Sequence, residues 1–376
     1  MGEIADRIAG VTRDTNEVGI SWPLQSIDRR IVESVEAMAL DGNLNAGLMV
    51  AKIREALDAV LSITAYDQIA SIFNAFAEAK VWKSFNDHGI HARPIPASNH
   101  RTPEFELTWN GRTLYCEVKA LNPAGGPVNN ERSMEAGFEA LVTLEERRQR
   151  GDSIAFAEHV VQPQLNPDQI GDYDPYGRRI LIRNVTRRIR ALVKAGQFSG
   201  GDTILAIETT MQALPEESDY RILRTYPDPH TSVATSGILW YAIFGQEGMP
   251  VFRPTEFEGC SNLDGNLVGN GVLNTEDDVR GILIFDGPRI SGMVRASEVN
   301  TEPGRLIRHV GEYWNTECND ALCRLALDER RHQDWHRMCE VKSFELWDER
   351  LKPLWDASDD WHHAREALGL PECFAI

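Results

Sequence analysis

The chain lacks most of the features by which functional classes are recognised. Its six cysteines, Cys116, Cys260, Cys318, Cys323, Cys339 and Cys373, contain no C-x-x-C pair. Neither a zinc ribbon nor a disulfide framework is indicated, and buried or free thiols are expected. No uninterrupted apolar run approaches the ~18 residues that would suggest a membrane span. The opening MGEIADRIAG carries acids early and has no basic start before an apolar core, so no secretory signal is expected and the cytoplasm is the expected compartment. There is no G-x-x-x-x-G-K-[ST] phosphate loop, no G-x-S-x-G elbow and no G-x-G-x-x-G after a strand, which argues against ATP-driven and serine-hydrolase chemistry. Low-complexity tracts and clear internal repeats are also missing.

Positive charge is scarce as well: 39 Lys and Arg stand against 57 Asp and Glu, a formal net charge of -18. Affinity for a phosphate backbone comes largely from Lys and Arg, so the bulk charge alone speaks against a nucleic-acid partner. The distribution reverses that inference. Residues 61–200 hold 17 basic and 16 acidic side chains, a net +1, which leaves 22 against 41, a net -19, for the remainder. The acidity outside this segment serves solubility or meets a basic protein partner.

What is present is the composition of an ordinary globular chain, with 42% hydrophobic and 26% charged residues. At ~150 residues per domain, 376 residues suggest about two domains or one elaborated one. We expect one main core with helical additions: a helical N-terminal element over 1–62, an α/β domain over 63–300, and a helical C-terminal subdomain over 301–376. In the first, Ile31, Val35 and Met38 share a helical face, and after the turn-like Asp41-Gly42-Asn43 a second run continues from Leu44 to Leu61. A third helix is predicted from Tyr66 to Asn86. There Ile69, Ile72, Phe73, Phe76 and Phe85 recur at helical spacing, and Glu78 shares a face with Val81, Trp82 and Phe85.

The period then changes from helical to alternating. Phe105, Leu107 and Trp109 alternate with Glu104, Glu106 and Thr108. Asn110-Gly111 supplies the dipeptide favoured in two-residue hairpin turns, and Leu114, Cys116 and Val118 alternate with Tyr115, Glu117 and Lys119. Residues 121–178 read as an insertion with a charged helix from Glu131 to Arg150. An amphipathic helix follows from Ile180 to Ala195, with Ile182, Val185, Ile189 and Leu192 on one face and Arg183, Arg187, Arg190 and Lys194 on another. Thr203–Ile207, Gly237–Phe244 and Gly281–Phe285 are predicted strands, the last two flanking a Gly/Asn-rich loop over Glu256–Gly271. From Arg305 to Leu368 the pattern is helical.

Chemistry concentrates on the hairpin. Side chains two apart on a strand share a face, so Glu117 and Lys119 are displayed together while Cys116 and Val118 enter the core. Glu104, after Pro103 at the start of the partner strand, is positioned to bring its carboxylate beside that of Glu117. Two adjacent carboxylates repel, and a hard divalent cation such as magnesium is their natural counter-charge. Phosphodiester cleavage requires a nucleophilic water, stabilised phosphoryl oxygens and help for the leaving oxygen, all of which such an ion supplies.

A helix bearing Glu78, then Pro103-Glu104-Phe105, a turn, and Cys116-Glu117-Val118-Lys119 resembles the PD-(D/E)XK nuclease-like superfamily, which includes restriction endonucleases, repair nucleases and many phage-defence nucleases. The resemblance covers roughly residues 66–210. It implies a restriction-endonuclease-like α/β core, with a mixed central sheet flanked by helices and helical extensions at both ends. It also implies Glu104 and Glu117 as ligands of Mg2+ or Mn2+, Glu78 as a further ligand from the helix, and Lys119 as the lysine that assists the attacking water. Glu104 stands where the family usually carries aspartate. The implied activity is metal-dependent hydrolysis of nucleic acid, DNA foremost, in a setting of restriction or phage defence. Homodimerisation is expected if both strands are cut. Arg183, Arg187, Arg190 and Lys194 read equally as a solvated helix face and as cations spaced to neutralise successive phosphates.

Two alternatives accompany this expectation. One is a catalytically silent relative that binds nucleic acid or a protein partner. The other is a zinc hydrolase using His332 and His336, four apart on a helix, with His362 and His363 further on. There the text His-Gln-Asp-Trp-His carries Gln333 where a zinc peptidase helix places its general base. The E-x-K text is weak alone, since Cys-Glu-Val-Lys recurs at 339–342, where Glu340 and Lys342 read as a solvated helix surface.

Overall fold

The computed structural model describes residues 2–14, 24, 26–59, 66–96, 102–122, 126–152, 154–156, 179–194, 196–198, 201–212, 223–225, 233–235, 238–245, 247–248, 250–252 and 263–315. It begins with helix α1 (Glu3–Asp14), then α2 (Arg29–Leu40) and α3 (Leu44–Asp58). The boundaries of α2 and α3 follow from their caps. Asp28 accepts a hydrogen bond from the Arg30 N–H at 3.0 Å, and Asn43 accepts one from Ala46 at 3.1 Å, each satisfying a backbone donor that the helix leaves unpaired. Gly42, at φ 90°, makes the reversal between α2 and α3. Buried Glu36 on α2 takes the backbone N–H groups of Ile4 and Ala5 at 2.8 and 3.4 Å, docking the start of α1 against its neighbour.

Helix α4 (Tyr66–Asp87) is apolar on nearly all sides and correspondingly buried, from Ile69 and Phe73 through Trp82 and Phe85. Strand β1 (His91–Pro94) follows, then the hairpin of β2 (Phe105–Trp109) and β3 (Arg112–Ala120), helix α5 (Gly126–Gln149) and helix α6 (Arg179–Leu192). Next come β4 (Thr203–Glu208), β5 (Leu223–Thr225), β6 (Val233–Thr235), α7 (Ile238–Phe244), β7 (Pro250–Phe252) and β8 (Leu263–Asn266). The described chain closes with β9 (Gly281–Asp286), β10 (Arg289–Val294), α8 (Glu302–Val310) and β11 (Glu312–Asn315).

The architecture is α/β. A seven-stranded sheet runs in the order β1-β2-β3-β4-β9-β10-β11. It is mixed, since β1/β2 and β2/β3 pair antiparallel while β10/β11 pair parallel. Two two-stranded pieces, β5-β6 and β7-β8, complete the strand inventory among the described residues. The chain divides into two compact units. The first is Met1–Gly171 with Leu205–Ala213 and Ile284–Ile290, and the second is Asp172–Ile204, Leu214–Leu283 and Ser291–Ile376.

Three expectations change. Within Gly237–Phe244, read as a strand, Ile238–Phe244 is helix α7, and all seven of its residues are buried. A short run that is apolar on every side carries no period to distinguish the two forms. The Gly/Asn-rich stretch contains strand β8. The helical pattern expected from Arg305 ends at Val310, where Gly311 breaks it and β11 extends the sheet beside β10. Residues 316–376, with His332, His336, His362, His363, the tryptophans and the second Cys-Glu-Val-Lys, lie outside the described residues. Among the described residues no helix is long and apolar enough to cross a membrane.

Two polar contacts fasten α4 to the sheet in the first unit. The Trp82 indole N–H donates to the Ala92 carbonyl on β1 at 3.1 Å, and the Lys80 Nζ meets Glu208 Oε1 at the end of β4 at 2.9 Å. Glu208 is fully buried and also accepts the Thr210 N–H at 3.1 Å. A buried pair adds little over apolar replacements, yet losing one partner strands a charge and typically costs ~3–5 kcal/mol. Lys80→Met is therefore expected to lower unfolding free energy in urea by about that amount. Lys80→Met with Glu208→Gln, which keeps an acceptor for Thr210, is expected to recover most of the loss. A single variant as stable as the parent would show that the pair does not hold α4 in place.

Candidate acidic site on the hairpin

The site is set by the register of one turn. Trp109 pairs with Arg112 across Asn110-Gly111, whose φ values of 48° and 72° are those of a two-residue turn with both central residues left-handed. Counting back from that turn, Phe105 pairs with Cys116, and one residue further Glu104, just ahead of β2, falls level with Glu117. The Glu104 carbonyl accepts the Ile95 N–H at 2.9 Å, which ties the chain ahead of β2 to the segment after β1. Cys116 and Val118 enter the core as expected, and Glu117 is buried too, with no exposure to water. An exposed strand face, the ordinary reading of an E-x-K triplet, is thereby excluded for Glu117.

Five side chains from the hairpin and two helices gather here. Glu104 and Glu117 come from the hairpin, Lys119 lies two residues on and ion-pairs with Glu117, and Glu78 reaches in from α4. The fifth was not foreseen. Lys52 of α3 ion-pairs with Glu78 and stands 3.7 Å from Glu104 Oε2. Nothing around Lys52 in the sequence separates it from any solvated helical lysine, because its partners are set by the packing of α3 on α4.

The electrostatics follow from crowding in a dry place. Burial pushes the Glu78 carboxyl above its ordinary value and the charge on Glu104 pushes it further, with Lys52 and Lys119 opposing. Burial likewise raises Glu117, against Lys119, and the charges of Glu104 and Glu78 add to the rise. At Lys52, burial opposes the ammonium charge, but Glu78 and Glu104 outweigh it and hold the lysine more firmly protonated. Cys116 is driven well above the usual thiol range by burial and by Glu117 and Glu104, so it is an inert core thiol and not a nucleophile.

With all groups ionised, three carboxylates face two ammonium groups and one negative charge is left over. The donor set consists of hard carboxylate oxygens, short of positive charge, which fits magnesium or manganese. Magnesium takes one or two protein carboxylates and otherwise keeps water or phosphate oxygens. Glu104 and Glu117 suffice for that role. Among the described residues no three His, Cys, Asp or Glu side chains stand together as a ready-made metal group, and Glu78, expected as a third ligand, is paired with Lys52 instead.

The basic helix α6 belongs to the second unit. There Ile182, Val185 and Ile189 are buried as expected, Arg187 is exposed and Arg183 is half-buried, while Lys194, expected on the same helix, lies two residues past its end and is exposed. Arg190 is half-buried and donates to the carbonyl of Asn270, so one of the four cations braces a loop. The histidines of the zinc alternative lie outside the described residues.

A carboxyl whose folded-state pKa lies above its unfolded one contributes stability that is complete below the ordinary glutamate range and is lost as pH rises through the raised value. Glu117→Gln reproduces the protonated form at every pH. It is therefore expected to raise the thermal midpoint at pH 7–8 by about 2–4 °C per kcal/mol relieved, with the gain vanishing toward pH 4. A variant less stable than the parent at neutral pH, measured by calorimetry, would show that Lys119 fully compensates the buried charge. Set against known proteins, the chain matches no protein-family model, no curated protein and no solved structure.

Proposed function

We propose that the chain is a metal-dependent phosphodiesterase that hydrolyses nucleic acid, DNA foremost, on a core of the restriction-endonuclease type. The observation that carries this reading is the hairpin register. It sets Glu104 across from Glu117, puts Lys119 on the same face, and surrounds them with charges close enough to act on one another.

Each residue then has a task that its position allows. Glu104 and Glu117 hold Mg2+ or Mn2+, which when bound supplies charge neutralisation at the phosphoryl oxygens and lowers the pKa of an attacking water. Lys119, partly exposed and tethered by Glu117, presents its ammonium to the phosphate and orients the water through a hydrogen bond. Burial of Glu117 keeps bulk water from screening these charges, so a fixed cation there is worth more than on an open surface. The exposed cations Arg187, on α6, and Lys194, two residues past its end, suit backbone phosphates and add salt-dependent affinity. Restriction or phage defence is the setting this chemistry suggests.

A second reading has its own support. Lys52 and Lys119 already partner the carboxylates, as they would in a silent relative that binds nucleic acid or a protein and uses the cluster only for structure. Cleavage assays separate the two. The purified chain with Mg2+ or Mn2+ is expected to cut plasmid, linear DNA or RNA, to stop with a chelator, and to lose ~10²–10⁴-fold in rate in Lys119→Ala. Cleavage unaffected by Lys119→Ala would overturn the assignment of that lysine. No cleavage of any substrate would favour the silent reading.

A further inference from the structure

The cluster contains a cation that the proposed chemistry does not employ. Lys52 comes from α3, outside the hairpin and outside α4, yet its Nζ pairs with Glu78 and lies 3.7 Å from Glu104 Oε2. It therefore bridges a carboxylate of the helix and one of the hairpin. We propose that Lys52 is a resident cation that competes with the divalent metal for the Glu78 and Glu104 carboxylates, so that metal entry requires this lysine to leave. The proposal rests on the metal-site reading above and adds a regulatory element to it.

The argument is one of charge and place. Glu104 is one of the two carboxylates that would hold the ion, and Lys52, 3.7 Å from its Oε2, competes for that same negative charge. A unit positive charge close to an entering divalent ion also repels it directly. Both effects weaken metal binding. At the effective permittivity of a half-buried site, removing such a charge is expected to tighten a divalent ion by about tenfold or more. Lys52 can leave, because its side chain is 43% exposed and its stem reaches solvent from the surface of α3. Glu78 has no second cation in direct contact among the described residues, so once Lys52 has left, its carboxylate is available to the ion. The third ligand expected from α4 is thus present but held by a lysine.

Placement on α3 gives the device a further consequence. Helix α3 is tied to α1 by Arg7–Asp58 at 2.6 Å and by Arg54–Glu3 at 3.3 Å. The N-terminal helices therefore carry the competing cation, and their seating on α4 sets how firmly it holds.

The test is Mn2+ titration of the metal-stripped full chain without nucleic acid, followed by calorimetry or by the electron paramagnetic resonance of the free ion. Lys52→Met, which keeps the length of the stem, is expected to bind Mn2+ about tenfold or more tightly than the parent. Lys52→Gln is expected to behave alike, and Lys52→Arg, which keeps the charge, to stay within about threefold of the parent. Adding Glu117→Gln to Lys52→Met is expected to abolish the gain. Circular dichroism and thermal midpoints establish that each variant is folded, and Gln stands in if Met is not. Equal or weaker Mn2+ binding in both neutral variants, with binding still lost in Glu117→Gln, would overturn the role of Lys52 and leave the metal site standing. Absence of Mn2+ binding in every variant, including Lys52→Met, would overturn the metal site and with it this inference.

Discussion

Glu117 is a carboxylate without access to water, placed within a central strand, and much of the first unit is arranged around keeping that charge tolerable. Lys119 supplies a direct counter-ion from the same strand face, and Glu104 and Glu78 crowd it from the partner strand and from α4. Such a group has no stabilising purpose that an apolar residue would not serve better, because desolvating an ion costs more than its pairing usually returns. Its presence in a core lined by Cys116, Val118 and Phe105 is a local violation of the packing logic that the rest of the hairpin obeys. Violations of this kind concentrate where a protein performs chemistry.

The positions of the neighbours follow from that requirement. The two-residue turn sets the strand pairing, the pairing sets which carboxylates face each other, and α4 must lie against β3 for Glu78 to arrive at all. Its orientation is pinned at two places, by Trp82 on the Ala92 carbonyl and by Lys80 on Glu208. Those pins stand two and four residues beyond Glu78, on the same helix. Helix α4 is thus both the main core helix of the first unit and the support of one site residue. Displacing it loosens the core and the carboxylate cluster together.

The hairpin was legible in the sequence because all its determinants are local: alternation over Phe105–Trp109 and Leu114–Lys119, and an Asn-Gly dipeptide between them. The helices over 29–40, 44–58 and 66–87 were legible for the same reason, through turn residues and recurring apolar positions. Glu104 opposite Glu117 followed by counting from the turn. Lys52, Glu36 and the Lys80–Glu208 pair were not legible, because each finds its partner through helix packing, and a lysine that meets a carboxylate 26 or 128 residues away looks like any other. Helix α7 was misread because burial on every side erases the difference between a three-to-four and a two-residue period. Strand β11 was missed because four residues following a helix, with Gly311 between, present too little alternation to register.

The turn that sets the register has a chemical property of its own. Asparagine followed by glycine is the pair whose side-chain amide most readily cyclises onto the next backbone nitrogen, and reopening of the ring gives isoaspartate with an extra methylene in the main chain. Asn110 and Gly111 occupy that position at an exposed tip. An inserted methylene there would lengthen the connection between β2 and β3 and disturb the pairing that brings Glu104 opposite Glu117. The hairpin therefore carries a slow covalent clock, and the age of a preparation becomes a variable of the site: exchange of ammonia for water at Asn110 marks the aged molecules, and in the isoaspartate fraction of them the two carboxylates are carried out of register.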